Sequence, residues 1–531
     1  METTIFVDQI GYRSDMEKIA AVLSDETVFR VIDMSSRSVV LEGVLSQERR
    51  DLSSDYLIRQ ADFGVITTPG IYQIQVGETL SYPFAISQNP YKEVKNAMIK
   101  SYYYQRCGCE LTNEYAGEYK HAICHNTLAH YIDDHSKTFE VSGGWHDAGD
   151  YGRYIVAAAT ALGHMLYAYE IFPEKFTERI TIPGDDKYPD LLKECLYELE
   201  WMLKMQFEDG SVSHKVTTRH FCGMIMPEED TEELVLLGAS TNATATFVAS
   251  MCLASRIYQP FDNELASTFA SAAKKAMDWL TANPKFIEFK NPANVTTGAY
   301  GDNFPNDELF WANLEMYRLT KEKRYLDEGK SWFSNVDVTK FGWGDVGGFG
   351  SLTYLLETNF GEDKFSHILK NAYLAKALEL STNVRDSGFK TALRYNEYRW
   401  GSNMDLANYG IVLLVAHRIN NKLGYEEMAL HQLHYLLGKN PLGLSFVTGY
   451  GTKAMSNPHH RPSVADDVEA CVPGLVSGGP ERYRIDPHVK QSLPENTPPA
   501  LCFCDHENSY STNEVAIYWN SCAIFLAAYF D

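Results

Sequence analysis

The stretch GGWHDAGD at residues 143–150 places an imidazole and two carboxylates close together, among glycines and a tryptophan. His146, Asp147 and Asp150 could ligate a metal, form an acid/base pair, or make a capped turn before a helix that we predict to start near Tyr151. A carboxylate just before a helix is more often a cap, because it accepts from free backbone N–H groups. The flanking glycines favour function, since they let another backbone or a ligand approach closely.

A further carboxylate lies in the aromatic stretch HENSYSTNEVAIYWN at residues 506–520. Glu514 opens the last predicted helix, where an acidic residue ordinarily complements the helix dipole. Its neighbours in sequence include Tyr510, Tyr518 and Trp519. A carboxyl group in a poorly hydrated aromatic pocket has a raised pKa and can act as a general acid.

The loop NPHHRPS at residues 457–463 contains His459, His460 and Arg461. Buried structural histidines and a ligand-holding role are equally compatible with this stretch. It belongs to a long Gly-, Pro- and Asn-rich region at 440–500, and loops of that length inside a compact domain usually carry function.

Cysteine and histidine also recur between residues 107 and 146. Cys107, Cys124, His125 and His146 are candidate zinc ligands, because such side chains suit tetrahedral zinc. Cys109 is a competing ligand that spacing does not exclude. The ten cysteines of the chain are expected to be thiols or metal ligands rather than a disulfide framework.

These residues must be positioned by two kinds of element. Residues 1–88 are predicted to form a small antiparallel β-sandwich, because short Val- and Ile-rich runs alternate with turn residues. Pro90 marks a linker, and residues 92–531 show helical periodicity throughout, with roughly a dozen helices. The clearest helical segments are 154–172, 190–207, 243–261, 265–282, 309–320, 365–380, 406–420 and 514–530.

The composition excludes several partners. The chain has 531 residues and a net charge of −23, which disfavours nucleic acid because phosphate binding needs clustered Lys and Arg. No apolar run is long enough to span a bilayer, so we expect no membrane partner. The N-terminal residues lack the pattern of a signal peptide, which favours a cytoplasmic location, or a secreted one if a leader was removed.

Several long motifs together resemble glycoside hydrolase family 9, the inverting cellulases that carry an N-terminal immunoglobulin-like domain. The likeness covers nearly the whole chain and keeps the order of the family's segments. The motifs that carry it are VDQIGY (7–12), GGWHDAGDYGRY (143–154), VTTRHFCGMIMPEED (216–230), STNATATF (240–247), WGDVGGFG (343–350), YRWGSN (398–403), the histidine signature at 436–463 and the glutamate signature at 503–521.

The resemblance implies a mainly α fold, an (α/α)6-barrel catalytic domain preceded by the immunoglobulin-like β-sandwich. It implies inverting hydrolysis of β-1,4-glucosidic bonds in soluble cellulose, cello-oligosaccharides or mixed β-glucans, as an endoglucanase or cellodextrinase. Asp150 resembles the general base, Asp147 its partner in holding the attacking water, and Glu514 the general acid. No cofactor for catalysis is implied. The implied substrate-binding residues are His459, Arg461, Trp343, Trp400, Tyr510 and Trp311.

The resemblance also implies structural metals. Cys107, Cys124, His125 and His146 match the zinc ligands of some members with this N-terminal domain. Calcium is implied at Ser463, Asp466, Asp467 and Val468, and a second calcium candidate comprises Asp302, Asp307 and Glu308.

Two other functions stay open at this point. One is an exo-acting β-glucosaminidase or cellobiase of the same family. The other is a non-catalytic sugar-binding protein, which the presence of Asp147, Asp150 and Glu514 argues against.

Overall fold

The structure is a computed structural model that describes residues 2–531. Backbone contacts divide the chain into two compact units. Unit 1 comprises the chain up to Ser101 together with Leu374–His459 and Glu469–Asp531. Unit 2 comprises Tyr102–Tyr373 and His460–Val468.

Unit 1 begins with a β-sandwich whose two sheets enclose one apolar core. Alternation builds it: in the strand VFRVID, Phe29 and Val31 are buried whereas Val28 and Arg30 are exposed. One sheet has the order β1-β3-β7-β6 and the other β2-β10-β8-β4-β5, with β9 paired to β8. The strands are β1 Thr4–Phe6, β2 Gly11–Arg13, β3 Ile19–Leu23, β4 Val28–Asp33, β5 Ser38–Val44, β6 Arg49–Arg50, β7 Leu57–Asp62, β8 Gly70–Val76, β9 Thr79–Leu80 and β10 Phe84–Ser87.

The helices follow directly, since β10 ends at Ser87 and the first helix begins at Lys92. Twelve helices of ten or more residues are present among residues 2–531, in agreement with the predicted dozen. They are α1 Lys92–Tyr104, α3 Ile155–Ile171, α4 Asp190–Lys204, α5 Thr241–Tyr258, α6 Asn263–Ala282, α7 Asn306–Thr320, α8 Lys323–Trp332, α9 Gly347–Glu357, α10 Lys364–Asp386, α11 Ser402–Ile419, α12 Tyr425–Leu436 and α16 Ile517–Phe530. Four short helices are α2 Asn113–Ala116, α13 Arg461–Ala465, α14 Pro487–Ser492 and α15 Tyr510–Asn513.

Unit 2 also contains a five-stranded sheet that the sequence did not predict. Its order is β12-β11-β15-β14-β13. The strands are β11 Ala129–Tyr131, β12 Asp134–Phe139, β13 Arg153–Tyr154, β14 Lys215–Thr217 and β15 Val235–Leu236. Most are too short to give a clear period-2 pattern, which explains why they escaped notice.

Within unit 1 the sandwich is held to α12 by polar contacts. The Gln9 N–H donates to the carbonyl of Leu437 at 2.9 Å, and His434 Nδ1 donates to Asp8 Oδ2 at 2.8 Å. A second histidine, His431, donates from Nε2 to Glu17 Oε2 at 2.7 Å. The sandwich and these helical segments therefore form one compact body.

Two local predictions were wrong. Helix α3 begins at Ile155 rather than near Tyr151, and its N-cap Tyr154 makes no side-chain cap, so neither Asp147 nor Asp150 caps it. Helix α16 begins at Ile517, and Glu514 lies before it in extended backbone. No helix among residues 2–531 is both long and apolar enough to cross a bilayer.

Candidate active site and metal cluster

The segment 143–150 is a loop whose backbone is fixed by hydrogen bonds just before its two aspartates. The Trp145 N–H donates to Glu198 Oε2 at 2.6 Å, and the His146 N–H donates to the carbonyl of Gln105 at 2.7 Å. Gly144 has φ +76°, and a Cβ there would lie 2.7 Å from the Trp201 ring. Only glycine fits this close approach, which explains part of the motif.

The two aspartates of this loop are buried and held from different directions. Asp150 Oδ2 accepts from the Gly152 N–H at 3.0 Å and from the Tyr154 hydroxyl at 3.4 Å. Asp147 Oδ2 accepts from the Tyr300 hydroxyl at 2.5 Å. The Oδ1 of Asp147 is buried without a hydrogen-bond partner, so it can accept a hydrogen bond from an incoming molecule.

Asp147 and Asp150 are two carboxyl groups buried close together, and this affects the pKa of Asp147. Burial, and then the charge of Asp150, raise the pKa of Asp147 well above its ordinary value. Burial lowers the pKa of Lys215 to about 7, although the Asp150 carboxylate acts to raise it. The charge of Asp150 therefore affects the pKa of both Asp147 and Lys215.

Arg461 and His460 brace the loop from the short helix α13. Arg461 is buried, and its guanidinium donates to the carbonyl of Gly149 at 2.6 Å and to that of Cys222 at 3.1 Å. His460 Nε2 lies 2.9 Å from Gln105 Oε1, and Gln105 Nε2 donates to the carbonyl of Ala148. A cavity of about 10 Å³, the size of one water, lies beside Asp150 and Arg461.

Trp343 and Trp311 were both predicted to bind sugar, but they differ in solvent exposure. Trp343 is half-buried, and its ring meets that of Tyr300 edge-on at 4.9 Å. Trp311 is fully buried; it stacks on Phe349 and donates from Nε1 to Tyr167. The prediction for Trp311 was wrong, because a buried tryptophan of the core has no face to offer a sugar.

The predicted general acid lies in unit 1, where two loops run side by side. Glu514 pairs in parallel with His459, whose N–H donates to the carbonyl of Asn513 at 2.9 Å. The Asp505 carboxylate accepts from the N–H groups of Ser456 and Asn457 and from Asn513 Nδ2. This carboxylate therefore ties the histidine loop to the glutamate loop.

Aromatic rings lie close to the histidine and glutamate loops of unit 1. Trp400 is 44% exposed, and its ring centroid lies 5.4 Å from that of Tyr510 at an angle of 47°. The His459 ring meets Tyr510 edge-on at 6.2 Å. An exposed indole ring and a half-buried phenol ring beside the half-buried Glu514 carboxyl suit recognition of a flat, hydroxylated ligand.

The four candidate zinc ligands come together in unit 2. The ligand atoms of Cys107, Cys124, His125 and His146 lie within 4.8 Å of one another, and all four side chains are buried. Cys109 is not in this group among the described residues, so the structure removes the competing ligand. Burial disfavours the thiolate of Cys107, but hydrogen bonding from Cys124 lowers the Cys107 pKa well below its ordinary value.

The histidines of this cluster show how it would bind a metal. His125 Nε2 lies 3.4 Å from Asp230 Oδ2, while its Nδ1 is buried without a partner. Metal-binding histidines usually donate their other nitrogen to a carboxylate in this way. Two thiols and two imidazoles with an outer carboxylate fit tetrahedral zinc.

Among the predicted calcium ligands, Ser463 lies within α13, and Asp466, Asp467 and Val468 directly follow that helix. Asp466 has one oxygen that accepts from the Val468 N–H at 3.1 Å and another that is buried without a partner. Burial, and then the charges of Asp467 and Glu118, raise the Asp466 pKa. Ser463 interacts with His460 Nδ1 at 2.8 Å. The unpartnered oxygen fits a cation, as do those of Asp302 and Glu308 at the second candidate.

Sequence reasoning missed Tyr300 and Lys215. Tyr300 has φ +48°, a strained conformation for a tyrosine, and it is far from Asp147 in sequence. The sequence around Tyr300 does not distinguish it from other tyrosines. Lys215 begins the three-residue strand β14 of the five-stranded sheet, which the sequence did not predict.

The helical fold, the immunoglobulin-like sandwich and the paired carboxylates define a glycoside hydrolase of the cellulase type. The model of glycosyl hydrolase family 9 matches residues 91–527, and that of the cellulase N-terminal ig-like domain matches residues 1–81. The chain belongs to glycosyl hydrolase family 9.

Two curated relatives are similar in sequence to this chain over nearly its full length. A cellodextrinase from Butyrivibrio fibrisolvens is 36% identical, with 98% of each chain covered. A xyloglucan-specific endo-beta-1,4-glucanase from Bacteroides ovatus is 32% identical, with 99% of this chain and 93% of the relative covered.

A solved structure confirms the fold class. A thermostable endoglucanase from Alicyclobacillus acidocaldarius matches with TM-score 0.93 and 34% identity over 99% of both chains. The predicted (α/α)6-barrel class with its N-terminal sandwich is therefore confirmed. None of these three is named as an exo-acting β-glucosaminidase or cellobiase, so that alternative is not favoured.

Proposed function

We propose that the enzyme hydrolyses β-1,4-glucosidic bonds in soluble cellulose, cello-oligosaccharides or mixed β-glucans, with inversion at the anomeric carbon. Asp150 is the general base, Asp147 helps to orient the attacking water, and Glu514 is the general acid. The observation that carries the proposal is the Asp147/Asp150 pair, buried, anchored by separate hydroxyls, and with an acceptor oxygen of Asp147 unpartnered.

The chemistry needs two opposite proton transfers. The water loses a proton to Asp150 as its oxygen bonds to the anomeric carbon, while Glu514 donates a proton to the departing glycosidic oxygen. An oriented water reacts faster, because its entropy is lost before the transition state. Asp147, whose pKa is raised by burial and by Asp150, holds that water as a second partner.

Substrate binding involves the rings near these groups. The exposed Trp400 lies beside the half-buried Tyr510, and the half-buried Trp343 lies beside Tyr300. His459 pairs with Glu514 of the glutamate loop, and we assign it to binding a sugar hydroxyl. The Arg461 guanidinium donates to the backbone carbonyls of Gly149 and Cys222. We therefore assign Arg461 two roles, positioning the loop that contains Asp150 and binding the sugar.

Zinc is the metal that we propose for Cys107, Cys124, His125 and His146. Four protein ligands leave no open position for a reacting water, so the ion would brace the loop that contains Asp147. We also propose calcium at Ser463, Asp466, Asp467 and Val468, because a hard cation prefers carboxylate and backbone oxygens. Asp302, Asp307 and Glu308 are a second calcium proposal.

A proton NMR time course of cellotetraose hydrolysis tests the proposed function. We expect the new reducing end to appear first as the α-anomer, together with cellobiose from internal cleavage. Initial β-anomer would contradict the assignment of Asp150 and Glu514. Release of glucose alone from one end, with the α-anomer first, would retain the mechanism and contradict the endo-type action.

A further inference from the structure

Two histidines and a glutamate converge at the edge of the five-stranded sheet, away from the cysteine cluster. The rings of His130 in β11 and His135 in β12 stack with centroids 3.9 Å apart and planes 8° apart. Glu233, just before β15, has its Oε1 2.5 Å from His135 Nε2 and 3.8 Å from His130 Nε2. The three candidate ligand atoms lie within 4.8 Å of one another.

The orientation of His130 is set by its other nitrogen. Its Nδ1 donates to the carbonyl of His135 at 2.9 Å, which leaves Nε2 as the lone-pair nitrogen facing Glu233. An imidazole fixed in this way is typical of metal ligands. The hairpin register shifts between His130 and Tyr131, and such irregularities re-aim side chains.

An ion pair alone explains this arrangement poorly. The side chains of His135 and Glu233 are 65% and 38% exposed, and pairs this exposed contribute little to stability. Arg219 approaches the other oxygen of Glu233 at 3.5 Å, so Oε1 stays turned towards the histidines.

We propose that His130, His135 and Glu233 bind a divalent transition-metal ion such as Zn²⁺. Two imidazole nitrogens and one carboxylate oxygen are a zinc donor set, and three protein ligands leave the fourth position to water. The ion would join the hairpin of β11 and β12 to the start of β15.

The test is a calorimetric titration of Zn²⁺ into tag-free enzyme whose cysteine cluster already holds one equivalent. We expect the wild-type enzyme to take up one more equivalent, and His135→Asn and Glu233→Gln to weaken that step at least about 10-fold. Titration with Co²⁺ identifies the site, since the added ion should lack the thiolate charge-transfer band that the cysteine cluster gives. Circular dichroism checks that the variants fold.

His506→Asn is the matched control. His506 stacks on His488 at 4.1 Å and 23°, but these two belong to no metal-binding group of three among residues 2–531. The control should bind the additional ion as the wild type does. Absence of an additional equivalent in the wild type, or equal loss in His135→Asn and His506→Asn, would overturn the proposal. Neither result bears on the hydrolysis of glucans.

Discussion

At the scale of single residues, the central question is which carboxyl group moves which proton. Leaving-group ability separates the two roles, because an activated aryl group departs without protonation. On cellotetraose we expect Asp150→Asn and Glu514→Gln both to lose about 10²–10⁴-fold in kcat. On dinitrophenyl cellobioside, Glu514→Gln should recover most of its activity and Asp150→Asn should not.

The reverse pattern would exchange the two assignments, and recovery by neither variant would argue against Glu514 as the acid. Both substitutions keep the side-chain volume, so a change in folding is a small concern. Steady-state kinetics on the two substrates, with wild-type enzyme as the reference, give the result.

Tyr300 deserves a separate test, because its hydroxyl is the anchor of Asp147. That hydrogen bond acts to lower the Asp147 pKa against the effect of burial. Its removal in Tyr300→Phe should raise the pKa further and move the acidic limb of the kcat/KM profile to higher pH. We expect kcat to fall about 10-fold at neutral pH with little change in KM.

Tyr354→Phe is the matched control for Tyr300. The Tyr354 hydroxyl of α9 donates to Asp363 Oδ1 at 3.0 Å, so the substitution removes the same atom from a tyrosine–carboxylate pair elsewhere in the chain. Its pH profile should be unchanged. An unshifted profile in Tyr300→Phe would contradict the role of the hydroxyl.

The sequence located the aspartate pair and the glutamate but not their partners. Asp147 and Asp150 lie within one short motif, whereas Tyr300 meets Asp147 from 153 residues away. Contacts between remote segments leave no local pattern. Trp311 was mistaken for the same reason, because tryptophans in the core and on a surface look alike in sequence.

At the scale of elements, periodicity predicted the long helices well and the short elements poorly. The segments 265–282 and 365–380 lie within α6 and α10. By contrast, α9 begins with two glycines, which are poor helix formers, and periodicity did not identify it as a helix. The two-residue strands β13 and β15 depend on partners elsewhere in the chain, so no local rule predicts them.

The cysteine cluster gives a prediction at this scale, because it joins three separate segments of unit 2. We expect Cys124→Ser to lose about one equivalent of zinc and to lower the Tm by about 5 °C or more, since metal binding supplies folding free energy. Activity should fall as well, because His146 precedes Asp147. Elemental analysis, calorimetry and activity assays measure the three effects.

Cys109→Ser is the control, since Cys109 is close in sequence but outside the group. It should keep the zinc, the Tm and the activity. Equal zinc content in Cys124→Ser and the wild type would contradict the proposed ligand set.

At the scale of the whole molecule, a buried lysine links stability to pH. Lys439 Nζ contacts His431 Nδ1 at 2.9 Å beside the sandwich, with Glu17 and Asp8 nearby. Burial lowers its pKa to about 7 from 10.5. The unfolded chain binds more protons between these values, so this residue makes the free energy of unfolding rise with pH across that window.

Lys439→Met should remove this contribution. We expect the variant to be more stable than the wild type near pH 6–7, and the difference to shrink towards pH 10, where the unfolded lysine also loses its proton. Each unit of pKa shift corresponds to about 1.4 kcal/mol. Urea denaturation at several pH values provides the measurement. Lys364→Met, at an exposed position, should show no such trend, and a parallel trend in both variants would contradict the explanation.

The division of the chain has a consequence for biosynthesis. Unit 1 draws on three stretches of sequence, and the last is Glu469–Asp531. A ribosome releases the sandwich and α1 early, but it delivers their remaining partners only after unit 2 is almost completely translated. During that interval the apolar faces of unit 1 remain exposed to solvent. Nascent chains with exposed apolar surface aggregate or bind chaperones. Slow synthesis of residues 102–373 lengthens this interval, so it should reduce the yield of soluble enzyme more than slow synthesis of residues 1–101.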